Sequence, residues 1–226
     1  MKPIGGLTII DNKNISEVLG VLREEIKKFT VPIVSEVAAD RDPYKVLISC
    51  VLSLRTKDEV TKKASLKLFE YADTANKMIN MDEIQIQKLI YPVGFYKTKA
   101  KRIIEMSHRI LDEYDGKVPD TIDELLKLKG VGRKTANIVV TLGYSRPGVC
   151  VDTHVHRISN RWGYVKTKNP IQTEFALREK LPQEHWIEYN DILVTYGQNV
   201  CAPISPKCSI CPIDRYCPKI GVTKHR

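Results

Sequence analysis

Leu128-Lys129-Gly130-Val131-Gly132-Arg133-Lys134-Thr135-Ala136-Asn137 reads as the end of one helix, a two-glycine turn and the start of a second helix. Upstream, Thr121-Ile122-Asp123-Glu124 has the T-x-x-E spacing of a capping box and opens a short helix carrying Leu125, Leu126 and Leu128. Downstream, a helix is expected from Arg133 to Leu142, ending at Gly143, and Ser145-Arg146-Pro147-Gly148 makes a second turn. Glycines at 130 and 132 permit positive φ and let the backbone come close to a bulky anion. Successive N–H groups in such a turn, with the N-terminus of the next helix, form an anion nest. Gly130, Val131, Gly132 and Arg133 are therefore candidate contacts to a nucleic-acid phosphate, which position a partner without reading its sequence. An ordinary helix-to-helix turn is the alternative.

The helical pattern extends over nearly the whole chain, with no internal repeat, low-complexity segment or convincing sheet. Ser16 is placed to cap a helix with Val18, Leu19, Leu22, Ile26 and Phe29 on one face. Asp42-Pro43 pairs an N-cap with proline at the first helical position, and the run from Tyr44 to Leu54 is apolar almost all round, as in a buried central helix. Helices are expected near 58–71, 83–90 and 97–114. Another follows Asp152, with Val155, Ile158 and Trp162 on its apolar face. The fold class is all-α.

Length and charge narrow the partners. The chain has 226 residues, ample for a core, and its 36 Lys+Arg against 27 Asp+Glu give a formal net charge of +9. That excess favours a polyanionic partner, nucleic acid first, over a basic enzyme with merely solvated lysines. No apolar run of about 18 residues is present, so no membrane span is expected. Met1-Lys2-Pro3-Ile4-Gly5-Gly6 lacks the apolar core of a signal peptide, and the expected location is cytoplasmic, at the nucleoid.

Lys134 stands in the first turn of the helix that leaves the two-glycine turn, and Asp152 follows 18 positions on, after the return turn. A helix N-terminus and neighbouring cations both disfavour a lysine's charge, which makes it a better amine nucleophile. A nearby carboxylate can take its proton or stabilise positive charge developing on a sugar ring. Against this, a lysine on a helix is commonly a solvated charge, and Asp152 before an amphipathic run can be an N-cap alone. His154 and His156 have no third ligand near them in sequence, and His154 is expected to touch DNA or a carboxylate.

Cys201, Cys208, Cys211 and Cys217 form a C-x6-C-x2-C-x5-C set. Thiolates this close in sequence point to one metal centre, and an intracellular chain disfavours disulfides. Structural zinc sites commonly use two short C-x2-4-C knuckles, whereas only Cys208 and Cys211 form one here. The spacing suits a [4Fe–4S] cluster better than zinc and leaves both open. Cys50 and Cys150 read as small buried hydrophobes.

Leu128–Asn137, then Val151-Asp152-Thr153-His154, then the four-cysteine set closely resemble the endonuclease III family, the helix-hairpin-helix/Gly-Pro-Asp class of DNA glycosylases with a [4Fe–4S] cluster. The resemblance spans residues 16 to 217. It implies two helical domains with a DNA-binding cleft between them. A six-helix domain containing the helix-hairpin-helix would span 36–146, and a discontinuous cluster domain would combine 1–35 with 147–226. The family's catalytic lysine falls on Lys134, its catalytic aspartate on Asp152, and its cluster ligands on Cys201, Cys208, Cys211 and Cys217. The implied activity is excision of oxidised pyrimidines from duplex DNA, with AP-lyase cleavage through a lysine Schiff base. The implied partner is double-stranded DNA bearing a damaged base or an abasic site, bound by a monomer. A monofunctional mismatch or adenine glycosylase of the same fold and a non-catalytic DNA-binding protein are the alternatives.

Two positions depart from the family pattern. In Ser53-Leu54-Arg55-Thr56-Lys57-Asp58, Arg55 replaces a glutamine that fills the gap left by a flipped base. An arginine can fill that gap and favour guanine opposite. Phe95 falls where the family usually has a leucine wedge, and an aromatic ring there can stack on exposed bases. Core packing is the other reading of Phe95. Ser53, Arg55, Phe95 and His154 complete the expected DNA contacts.

Overall fold

Each α-helix starts with N–H groups that have no partner inside the helix, and the side chains that answer them fix where this chain's helices begin. The computed structural model describes residues 9–29 and 41–226. The reading of Met1–Gly6 and the expected boundary between 35 and 36 lie outside them. Among the described residues there are helices and turns but no strand. They fall into two compact units, one of residues 41–148 and one combining 9–29 with 149–226. The division after Gly148 lies two residues beyond the expected one.

In the unit of 41–148, α2 (Pro43–Ser53) is the central helix. Asp42 caps it, its Oδ1 accepting from the N–H groups of Tyr44 (2.8 Å) and Lys45 (3.1 Å). Val46, Leu47, Ile48, Cys50, Val51 and Leu52 are all buried, so the all-round apolar pattern has its expected meaning. Against α2 pack α3 (Asp58–Tyr71), α6 (Tyr96–Tyr114) and α8 (Arg133–Ile138). Two short helices, α4 (Ala75–Ile79) and α5 (Glu83–Ile90), lie on α6. Thr121 caps α7 (Ile122–Lys127) by accepting from Glu124 N, while the Glu124 carboxylate turns to Lys127 and Tyr114. The reciprocal capping box in this unit is instead Asp82 with Gln85, at the start of α5.

α8 continues as a π-helical turn, Val139–Gly143. Thr141 Oγ1 donates to Asn137 O at 2.8 Å there. Gly143, read from sequence as a helix stop, has a different role: a Cβ on it would sit 2.9 Å from Pro43 Cα, so glycine lets this turn press on the start of α2.

In the other unit, α1 (Ile15–Ile26) begins one residue before Ser16. Asn14 is its N-cap position, and the Ser16 hydroxyl instead pairs with His185 Nε2 at 2.8 Å. Phe29 lies past the helix end yet still packs on the core. α1 lies on α11 (Trp186–Asn199), which also packs against α9 (Thr153–Arg161), and α10 (Pro170–Lys180) covers α9. Trp162, Tyr164, Tyr189 and Tyr196 are buried in this core, with the Tyr189 and Ser159 hydroxyls paired at 3.0 Å.

Asp42 is the cap on the helix around which the larger core is packed. Asp42→Ala is expected to cost about 1 kcal/mol, which for a chain of this size lowers Tm by about 2–4 °C. Thermal unfolding followed by circular dichroism measures it, and an unchanged Tm would show that the cap contributes nothing.

Candidate functional site

The two-glycine turn is built by one hydrogen bond and one side chain. Val131 N donates to Leu128 O at 3.0 Å, closing the turn after α7. Gly130 has φ +92, a conformation that side chains resist, and a Cβ there would lie 2.5 Å from Arg102 Cδ. The Arg102 side chain from α6 therefore lies directly on Gly130. Gly132 differs from expectation. Its φ is −97, ordinary extended backbone, and nothing lies within 4 Å of a Cβ built on it. Glycine is needed there only if something outside the chain comes close. Gly132 is the N-cap position of α8, which has no side-chain cap, and Arg133 is half-buried. Lys134 is exposed in the first turn of α8. Its charge reaches Cys50 on α2, where burial pushes the thiol up to about 12 against the pull of Lys134.

Two further loops of the same unit carry Ser53, Arg55 and Phe95. Ser53 ends α2, and its hydroxyl donates to Cys50 O at 2.8 Å. Arg55 and Phe95 both have positive φ, +53 and +57, and both side chains are exposed, Phe95 at 63%. Core packing is thus not what Phe95 does. The Arg55 guanidinium sits 5.7 Å from the centre of the Phe95 ring, at cation–π distance.

Asp152, His154 and the four cysteines belong to the other unit. Asp152 is the N-cap of α9, its Oδ1 accepting from the N–H groups of His154 (2.8 Å) and Val155 (2.9 Å). These two donors fix the orientation of the carboxylate. The His154 ring packs on Gly197 of α11, where a Cβ would lie 2.6 Å from Nδ1, and Arg157 Nη2 donates to that nitrogen at 3.2 Å. Farther along α9, Arg161 is buried, and its Nη1 donates to Cys201 Sγ at 3.1 Å and to Ala202 O at 3.0 Å.

All four cysteines line one pocket, with Arg161, Tyr196 and Lys219. Burial raises the thiols of Cys208, Cys211 and Cys217, the last to about 12. Tyr196 Oη pairs with Cys211 Sγ at 2.8 Å, and Lys219 N donates to Cys217 Sγ at 3.4 Å. Among the described residues, no three His, Cys, Asp or Glu side chains converge on a point that a single ion would occupy. The thiols instead surround a space. Hydrogen bonds onto sulfur and a buried guanidinium suit thiolates bound to a metal centre.

Several residues here escape a sequence reading. Arg102, Arg161 and Lys99 sit on helices where a basic residue reads as a solvated charge, and no spacing marks them.

Residues 48–183 match the family model described as HhH-GPD superfamily base excision DNA repair protein. The chain is 48% identical over 178 residues to endonuclease III of Thermotoga maritima, covering 79% of this chain and 84% of that one. With this match, the chain belongs to the endonuclease III family. Relatives from animals and plants are longer, and the chain spans 48% to 63% of their length. Solved structures agree. A non-covalent endonuclease III–DNA complex superposes with a TM-score of 0.81 at 31% identity, covering 93% of this chain and 97% of that one. A trapped endonuclease III–DNA covalent intermediate gives 0.80 at the same identity and coverage.

The two glycines separate by experiment. Gly130→Ala is expected to cost about 1–2 kcal/mol or more, because φ is positive and Arg102 must move. Gly132→Ala should leave Tm within about 1 °C of wild type, since backbone and space both accept a methyl group. Equal losses in thermal unfolding would contradict the distinction.

Proposed function

We propose that this chain excises oxidised pyrimidines from duplex DNA and then cuts the strand as an AP lyase. The observation that carries the reading is Lys134, exposed in the first turn of an uncapped helix that opens on a two-glycine turn. The turn seats a phosphate on Gly130, Val131, Gly132 and Arg133, and Arg102 adds a charge at its edge. The lesion nucleotide is flipped out of the stack. Arg55 fills the gap it leaves, and Phe95 wedges into the stack beside it. Ser53 and His154 are the remaining proposed contacts to DNA, each on its own unit.

The chemistry follows from an amine nucleophile. The neutral Lys134 amine attacks C1′ of the lesion nucleotide. The glycosidic bond breaks, its electron pair leaves with the base, and the base is protonated. The Asp152 carboxylate stabilises the positive charge on the sugar as the base departs, and then accepts the proton that the amine sheds. Opening of the sugar ring gives an iminium between Lys134 and C1′. That cation acidifies the C2′ proton, whose removal expels the 3′ phosphate by β-elimination. Hydrolysis then frees the lysine. A covalent endonuclease III–DNA intermediate trapped in a relative sharing 31% of this sequence supports the covalent step.

Cys201, Cys208, Cys211 and Cys217 would hold a [4Fe–4S] cluster. The donor set supports this: four thiols round one pocket, with a buried arginine and N–H and O–H groups turned on the sulfurs. When bound, the cluster supplies cross-linking of an otherwise irregular tail. Arg161 and Lys219 offset the negative charge of its thiolates.

Two experiments test the reading. Borohydride trapping on a duplex with an oxidised pyrimidine should yield a covalent adduct in the wild type and none in Lys134→Ala. With Asp152→Asn, the rate should fall by about 100-fold or more. No adduct from folded wild type, on this duplex or on an abasic one, would overturn the lyase. Metal analysis of protein purified without oxygen should find iron and acid-labile sulfide in equal amounts, together with a yellow-brown colour. Cys211→Ala should lower both. Zinc in a colourless protein would replace the cluster with a single ion.

A further inference from the structure

Lys99 is a lysine inside the protein. It lies in the first turn of α6 and is 5% exposed. A buried ammonium is costly unless its protons are all accepted. Here three acceptors meet three protons: Leu52 O at 2.8 Å, Leu54 O at 2.6 Å and Thr56 Oγ1 at 3.1 Å. Burial, with Arg102 nearby, lowers its pKa to about 8. An apolar residue would avoid the desolvation, so the charge is retained for something that an apolar residue cannot do.

Its acceptors show what that is. Leu52 lies in the last turn of α2, and Leu54 and Thr56 belong to the turn that leaves it and carries Arg55. The same Thr56 oxygen accepts from Gly94 N at 3.1 Å, next to Phe95. The two segments approach so closely that a Cβ on Gly94 would lie 2.6 Å from Arg55 O. Phe95 O in turn accepts from Lys99 N at 3.0 Å. Lys99 is therefore bonded through its side chain to the Arg55 segment and through its backbone to Phe95. Both residues hold positive φ, a conformation that relaxes unless its surroundings fix it.

We infer that Lys99 is a positioning residue: an internal ammonium clamp that locks residues 52–56 against residues 94–96 and presents Arg55 and Phe95 as one rigid pair. This rests on the proposed insertion of that pair into the duplex. Separating stacked bases costs free energy, and a loop that must first be ordered adds to the cost. The clamp removes the second part.

The test uses the full, cluster-loaded chain on two substrates. One is a duplex with an oxidised pyrimidine and 2-aminopurine beside it. The other is a single strand with an abasic site, which has no stack to open. Lys99→Met should slow the duplex reaction by about tenfold or more beyond any loss on the single strand. The rise in 2-aminopurine fluorescence should slow in step. Combining Lys99→Met with Phe95→Ala should cost less than the product of the two separate losses, because clamp and wedge act as one unit. Should Lys99→Met not fold, Thr56→Val carries the test, removing one acceptor of Lys99 and the Gly94 bond together. Suppose Arg55→Ala and Phe95→Ala slow the duplex reaction, while folded Lys99→Met and Thr56→Val affect both substrates equally. Then the clamp is refuted and the insertion reading stands. If Arg55→Ala and Phe95→Ala leave the duplex rate at the wild-type value, the insertion reading falls and the clamp with it.

Discussion

The unpartnered N–H groups at helix starts are the constraint on which this molecule turns. In the unit of residues 41–148, four helices answer it with their own side chains: α2 with Asp42, α4 with Thr74, α5 with Asp82 and α7 with Thr121. Three do not. The N-cap positions of α3, α6 and α8 are Lys57, Phe95 and Gly132, and none supplies a side-chain cap. The capped starts belong to scaffold. The uncapped ones adjoin the three segments assigned to DNA: Arg55-Thr56, Gly94-Phe95 and Gly130–Gly132. An anionic backbone partner could supply there what a cap supplies elsewhere, and it would do so without consuming a side chain. In the proposed binding mode, stability surrendered at a helix end would become affinity for a polyanion. Asp152 makes the opposite choice on α9, where the carboxylate assigned to chemistry is also the cap. Its two backbone bonds hold it still.

The cysteine pocket follows the same logic of local satisfaction. Arg161 is buried beside Cys201, and the half-buried Arg157, one turn earlier on the same helix, donates to Cys201 O at 2.8 Å. Guanidinium groups kept this far from water need anionic or carbonyl partners in fixed places. In the proposed cluster site Cys201 would give Arg161 such a partner, which is why four cysteines and a buried arginine make sense together and not apart. The tail after Val200 has only two single-turn 3-10 helices, Cys208–Ile210 and Asp214–Tyr216. It depends on such contacts more than on helix packing.

Legibility in the sequence divided along a physical line. Patterns set by the chain's immediate neighbourhood were readable: the Asp42-Pro43 start, the apolar run of α2, the helices at 58–71 and 83–90, the Asp152 cap, the four-cysteine spacing. Positions decided by a partner distant in sequence were not. Ser16 looked like a cap but pairs with His185, 169 residues away. Gly143 looked like a helix stop but makes room for Pro43. Gly130 and Gly132 look alike, yet φ and Arg102 require glycine at 130, while backbone and space at 132 accept a side chain.

Lys99 is the sharpest case of that division. On an amphipathic helix rich in lysine, a single Lys carries no sign of burial, because its meaning lies in two carbonyls and a hydroxyl 43 to 47 positions upstream. Arg55 and Phe95 could be matched to a family pattern, but matching side chains one at a time says nothing about what holds them. The left-handed backbone at both positions, the missing Cβ at Gly94 and the shared Thr56 oxygen show that the two loops fold as one object. In the proposed insertion, wedge and gap-filler enter the same stack in register, which needs their separation fixed before DNA arrives. A buried charge suits that task better than apolar packing, because its hydrogen bonds are directional and leaving any of them unmade is expensive. Departures from the family at the two exposed tips are then tolerable, since the geometry resides in the clamp beneath them and not in the tips themselves.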